Sequence, residues 1–247
     1  MSYPLRDKYI QAKALTQNRI TKRHFPLTLI MNKSNLNKVI HQYKYFYIKK
    51  RVGYGGRNIF VVKCTSNQSF LLRTPNAKNI MHLPNKKRLF KILNRNHLNS
   101  YVIQQGITSR TISGDPFDIR VHTIRHREGW RIGGMLVRVT YKDDQLTDPS
   151  ESGFVMQLEE FLSYHLHLKP HAVKKMKKKL INLSLQASKV ISKYYPNRNQ
   201  YGIDIGIDKR YKLWIYEINI ANPNYKPFKM ISRKIYRKLK NHNTKRT

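Results

Sequence analysis

Alternating apolar and polar side chains mark the stretch Tyr201 to Asn224, YGIDIGIDKRYKLWIYEINIANPN, and predict a β-hairpin there. Its strands are expected at Gly202 to Ile207 and Lys212 to Ile220, joined by a turn at Asp208-Lys209-Arg210-Tyr211. Because successive side chains point to opposite faces, Ile203, Ile205 and Ile207 share one side and Asp204 takes the other. On the return strand Trp214, Tyr216, Ile218 and Ile220 are expected on one face, and Glu217 and Asn219 on the opposite one. A hairpin loop of even length then sets Asp204 across from Ile215, on the side of Glu217 and Asn219.

Helical spacing is strongest from His171 to Tyr195. Val173, Met176, Leu180, Leu183, Ala187, Val190 and Tyr194 recur every three or four residues there, lysines fill the outside and Pro196 ends the run. A basic amphipathic helix is predicted from Phe228 to Leu239, and shorter helices from a Ser34 cap to Gln42, over Lys86 to His97 and over Phe154 to His165. Strands are expected at Tyr43 to Lys50, Ile59 to Lys63, Gln68 to Arg73, Tyr101 to Gln105, Phe117 to Arg125 and Arg131 to Tyr141, with a loop from Asp143 to Ser152. Residues 1–33, polar and basic with Pro4 and Pro26, read as an arm without a core of its own.

Composition adds a partner class. The 247 residues, 40% of them hydrophobic, suffice for one domain or two lobes, yet 49 Lys and Arg against 13 Asp and Glu leave a net charge of +36. Such a field attracts polyanions, whether nucleic acid, anionic membrane, acidic polymer or nucleotide. Cys64 stands alone, which excludes an internal disulfide and a cysteine-pair zinc site. The N-terminal MSYPLRDKYIQAK has no apolar signal-peptide core, and no run approaches the ~18 apolar residues of a membrane span. The expectation is a soluble cytoplasmic protein.

Several constellations carry chemistry. Two carboxylates and an amide converging at Asp204, Glu217 and Asn219 offer the oxygen ligands that Mg2+ takes, although a polar solvent face has the same pattern. Lys49 precedes Gly53-Tyr-Gly-Gly56, a glycine-rich link between strands whose backbone N–H groups can close over phosphates; glycine hairpins without ligands look alike. Gln104-Gln105-Gly106-Ile107 is a linker where a purine can meet exposed backbone. Arg120 and Arg138 alternate away from their apolar neighbours and can face one cleft, where planar guanidiniums suit phosphate oxygens. The ten histidines form no ligand set, and no Ser-His-Asp or Cys-His arrangement emerges from spacing.

In order, YIKKRVGYGGRNI, YVIQQGI, PFDIRV, GGMLVRV and YGIDIGIDKRYKLWIYEIN resemble the ATP-grasp fold, and more closely the YheC/YheD family of endospore coat-associated ATP-grasp proteins, from about His24 to Pro223. The resemblance implies an α+β architecture of two lobes with antiparallel sheets enclosing a nucleotide cleft. The lobes are expected at residues 34–102 and, bearing the metal, 103–228, with an arm at 1–33 and a basic tail at 229–247. It implies that Lys49 contacts ATP phosphates, that Gly53, Gly55 and Gly56 form a lid, and that Gln104, Gln105 and Ile107 line the adenine. Arg120 and Arg138 would hold the γ-phosphate or an acyl phosphate, and Asp204, Glu217 and Asn219 one or two Mg2+ ions. The implied activity is a carboxylate–amine ligase with spore association. The alternative is a catalytically degenerate basic scaffold that binds polyanions as a coat-associated structural protein. Ile220-Ala-Asn-Pro-Asn224 lacks the glycine that usually follows the proline in this family, which implies a looser substrate loop.

Overall fold

The computed structural model describes residues 4, 6–53, 59–65, 68–75, 80–94, 100–140 and 153–244. The chain divides into two units, each built on one antiparallel sheet: Arg6–Ala12 with Pro26–Ile107, and Met1–Leu5 with Lys13–Phe25 and Thr108–Thr247. Helix α1 (Lys8–Gln17) crosses the division. Asp7 caps it, accepting from the backbone N–H groups of Tyr9 and Ile10 at 2.9 and 3.2 Å. The expected arm thus contains a helix, and residues 28–30 add a strand.

The smaller unit's sheet runs β1 (Thr28–Ile30), β6 (Tyr101–Gln105), β2 (Tyr45–Lys50), β3 (Ile59–Cys64), β4 (Phe70–Arg73) and β5 (Met81–Leu83). One face is apolar: Phe46, Ile48, Val62, Leu72 and Ile103 pack with Leu36 and Val39 of α2 (Lys33–Gln42) and Leu89 and Leu93 of α3 (Lys86–Asn94). Asn32, rather than Ser34, caps α2, its side chain accepting from Asn35 N–H at 2.7 Å.

The larger sheet runs β11 (Leu213–Asn219), β10 (Gln200–Ile207), β7 (Phe117–His126), β8 (Gly129–Thr140) and β9 (Gly153–Met156). Residues 153–156, of which 154–156 are expected in a helix, pair instead with Val137 to Thr140 on the edge of β8, and α4 (Leu158–Tyr164) starts after them. Edge pairing overrides local helical spacing in so short a segment. Helix α5 (Pro170–Ser192) begins on a proline suited to its first turn and buries Val173, Met176, Leu180, Leu183, Ala187 and Val190. Buried Thr123 on β7 bonds Ser188 on α5 at 2.8 Å.

The expected C-terminal helix breaks at Ser232, which is extended, into α6 (Phe228–Ile231) and α7 (Arg233–Thr244). Phe228, Ile235 and Leu239 come close to Gly133 and Gly134, where a Cβ would collide with them. That glycine pair lies at a register shift in β8 beside buried His122. No helix among the described residues is long and apolar enough to cross a membrane.

Candidate functional site

Asp204 sits on β10 between two strands and has a partner on each, Glu217 on β11 and Arg120 on β7. Two residues from Arg120, and therefore on the same face, Asp118 stands opposite Arg138 of β8. Arg120 grips Asp204 with Nε on one oxygen and Nη2 on the other, the latter at 3.0 Å. Arg138 grips Asp118 in the same bidentate way, at 2.6 and 2.5 Å, and its Nη2 also lies 3.2 Å from Asp204. Asn219 donates its amide N–H to Asp204 at 3.1 Å and to the Gly202 carbonyl at 3.2 Å. The Arg120 side chain is 9% exposed and that of Arg138 28%, so Arg138 is the more accessible guanidinium.

A β-bulge builds this face. Asp204 pairs with Glu217 but Ile205 pairs with Ile215, which leaves Tyr216 unmatched. The expected pairing of Asp204 with Ile215 is therefore corrected by two residues; Glu217 and Asn219 stay on the side of Asp204 as expected, whereas Trp214 and Tyr216 leave the face of Ile218 and Ile220 and join Glu217 and Asn219. Leu213, Ile215, Ile218 and Ile220 are buried, whereas Trp214, Tyr216, Glu217 and Asn219 are partly exposed. Strict alternation fails at the bulge because one added residue inverts the parity of everything before it.

Charge balance sets the ionisation of the cluster. Burial alone would raise the Asp204 carboxyl, but Arg120, Arg138 and the Asn219 amide hold it below the ordinary carboxylate range. Burial raises Asp118, with Asp204 adding to the rise against the pull of Arg138. Burial opposes the charge on Arg138, yet Asp204 and Asp118 drive its pKa up. Asp118 is a member of the cluster that sequence reasoning does not single out; its signal is its place two residues before Arg120 in PFDIRV.

Asp208 belongs to the turn, as its position in the hairpin suggests. It accepts from the N–H groups of Arg210 and Lys212 and from the Trp214 indole at 2.9, 3.0 and 2.8 Å. Beyond the hairpin, Arg120 Nη1 donates to the Asn224 carbonyl at 3.3 Å, and Pro223 packs over Gly202. The loop that lacks the expected glycine is tied to the site by these contacts, and Asn222 takes the positive φ, 51°.

In the smaller unit, Lys49 Nζ donates to Gln104 Oε1 at 2.8 Å and lies 4.8 Å from the Tyr47 ring centre. Gln104 is buried and donates on to Thr28 at 3.1 Å. The N–H groups of Gln105 and Gly106 go to the Leu27 and Tyr45 carbonyls, and Ile107 is half-buried. Gly53 accepts from Lys8 Nζ at 3.2 Å, whereas Gly55 and Gly56 lie outside the described residues. The structure thus groups Asp204, Glu217, Asn219, Arg120 and Arg138 on one sheet, and Lys49 with Gln104 on the other.

The donors suit a hard divalent ion in kind: two carboxylates and an amide oxygen, with Asp204 and Glu217 in register. Asp204 already holds two guanidiniums, and no group of three His, Cys, Asp or Glu converges for a metal among the described residues. A cation at this face therefore needs Asn219 turned to present its oxygen, and further oxygens from a bound phosphate.

The model of the YheC/D-like ATP-grasp family matches residues 1–245. Endospore coat-associated protein YheD of Bacillus subtilis is 28% identical over 189 residues, which are 74% of this chain and 41% of that protein. The chain thus spans less than half the length of this curated relative. Among solved structures, the biotin carboxylase domain of Hydrogenobacter thermophilus 2-oxoglutarate carboxylase, determined with MgADP, ADP and bicarbonate, superposes with a TM-score of 0.57 at 13% identity, covering 99% of this chain and 46% of that one. The L-amino acid ligase of Bacillus licheniformis gives 0.52 at 11% identity, covering 87% and 40%. The two antiparallel sheets with their helices are an ATP-grasp fold of α+β class, and the chain belongs to the YheC/D-like ATP-grasp family.

Proposed function

We propose that the protein is an ATP- and Mg2+-dependent ligase that joins a carboxylate to an amine through an acyl phosphate. The observation that carries this reading is the sheet face on which Asp204 meets Glu217 on one side and two guanidiniums on the other. Asp204, Glu217 and Asn219 are the residues that hold Mg2+, which when bound draws negative charge from the transferring phosphoryl group. Arg138, the more exposed guanidinium, binds the γ-phosphate and then the acyl phosphate, while buried Arg120 keeps Asp204 ionised and oriented. Lys49 contacts phosphates, Gly53, Gly55 and Gly56 cover them, and Gln104, Gln105 and Ile107 line the adenine.

In the reaction a substrate carboxylate oxygen attacks the γ-phosphorus as the bond to ADP breaks. An amine then attacks the acyl carbon and phosphate leaves. Positioning and charge neutralisation supply the rate, with no protein nucleophile required. A ligase and a MgADP complex among the structural neighbours support nucleotide-dependent ligation, and the name of the curated relative supports a spore-coat setting.

The test is ATP-dependent phosphate release against a library of carboxylates and amines. Release that needs both substrates and falls about a hundredfold in Glu217→Gln supports the reading. ADP formation indifferent to both substrates contradicts it.

A further inference from the structure

A cavity of about 880 Å3 opens in the larger unit where α5, the β10–β11 turn and the 3-10 turn Thr21–His24 meet. It uses none of the residues assigned to nucleotide or metal, so its ligand does not depend on the ligase reading. Lys179 and Lys189 reach it from α5, Arg210 and Lys212 from the hairpin turn, and its lining contains no Asp or Glu. Lys179, Lys189 and Arg210 have no carboxylate partner among the described residues. Ile20, Leu183, Leu185 and Leu213 give the wall an aliphatic floor, with Leu183 and Leu213 buried and Ile20 47% exposed. Asn182, Gln186, His24 and Tyr211 complete it.

The turn that edges the cavity is held in a costly shape. Tyr211 has φ of 58°, a conformation in which a bulky side chain is rare, and it remains 46% exposed. The three bonds accepted by the Asp208 carboxylate fix this conformation and present Arg210 and Tyr211 in a single arrangement. Also in the lining, His24 Nδ1 donates to the Leu213 carbonyl at 2.8 Å, which leaves Nε2 as the ring's remaining polar atom.

We infer that this cavity is a docking groove for an extended acidic peptide segment bearing aliphatic side chains. Lys179 and Lys189 are separated along the helix by roughly 15 Å, the span of four to five extended residues and too far for one small anion to bridge. Aliphatic floor and cationic rim together match a segment such as Leu or Ile flanked by Glu or Asp. Single-stranded nucleic acid fits less well, because its bases need a row of aromatic platforms and the lining offers only the Tyr211 ring and the His24 imidazole.

Fluorescence anisotropy with the full chain tests this, using a labelled decapeptide of glutamates interrupted by two leucines. The groove predicts that replacing the leucines by serines weakens binding about tenfold, as does Lys189→Glu with Arg210→Glu. A control with the same charge change in the smaller unit, Lys87→Glu with Lys91→Glu, is predicted to change binding less than about twofold. All four positions are exposed, so the fold tolerates these changes. Absent peptide binding, equal losses in both charge variants, or indifference to the leucines overturns the inference. So does a thymidine decanucleotide that binds as tightly as the peptide and loses the same factor in the groove variant.

Discussion

Asp204 faces Glu217 directly across β10 and β11, and the next pair is Ile205 with Ile215, so Tyr216 is an inserted residue. That insertion is what places Tyr216 and Glu217 on one face. The Tyr216 ring folds back over Gly206, and its hydroxyl lies 2.5 Å from Ser109 Oγ.

Gly206→Ala is expected to disrupt this arrangement, since a Cβ there would collide with the Tyr216 ring and with Ser109 Oγ. The predicted cost is about 1–3 kcal/mol by chemical denaturation, typical of overpacking. Adding Tyr216→Ala should recover part of it, and a double-mutant cycle reads the coupling. Strict additivity would separate the bulge from the glycine.

Arg120→Met removes the bidentate partner of a nearly buried carboxylate and is predicted to destabilise by about 3–5 kcal/mol. Arg131→Ala removes a pair whose side chains are 57% and 78% exposed, and is predicted to cost under about 1 kcal/mol. Urea titration of both variants checks the contrast.

Buried His122 bonds Gln200 through Nε2 at 3.0 Å, and its Nδ1 has no hydrogen-bond partner. Burial pushes its pKa down to about 4, against the Gln200 bond that favours the charged ring. The unfolded chain therefore takes up this proton first, and stability is lost as pH falls from about 6.5 towards 4, by about 3 kcal/mol in all. Asp204, held below the ordinary carboxylate range, contributes stability that goes only at lower pH, below about 4. His122→Asn should flatten the pH 6.5–4 slope in denaturation curves; an unchanged slope would assign it elsewhere.

Much of this structure was legible in side-chain order. The long helix announced itself through seven apolar positions at helical spacing, and the hairpin through Ile203, Ile205 and Ile207. The edge strand at residues 153–156 was not, because four residues carry too little periodicity to outweigh a following helix. Nor was the bulge at Tyr216, since a single inserted residue depends on the Gly206 gap across the strand. Helix α1 hid for another reason: KYIQAKALTQ shows no continuous apolar stripe, and its start depends on Asp7. At the site, residue types named Asp204, Glu217, Asn219, Arg120 and Arg138, but only the three-strand register revealed that both guanidiniums contact Asp204.

Nucleotide and metal binding at the Asp204–Glu217 face is tested most directly by the melting temperature with and without millimolar Mg-ATP, for the wild type and for Glu217→Ala. A ligand at a hundred times its Kd stabilises by about 2.7 kcal/mol, roughly 5–10 °C in a chain of this size. That shift is predicted in the wild type, and its loss in the variant. No shift in the wild type, or an equal shift in both, would contradict the assignment.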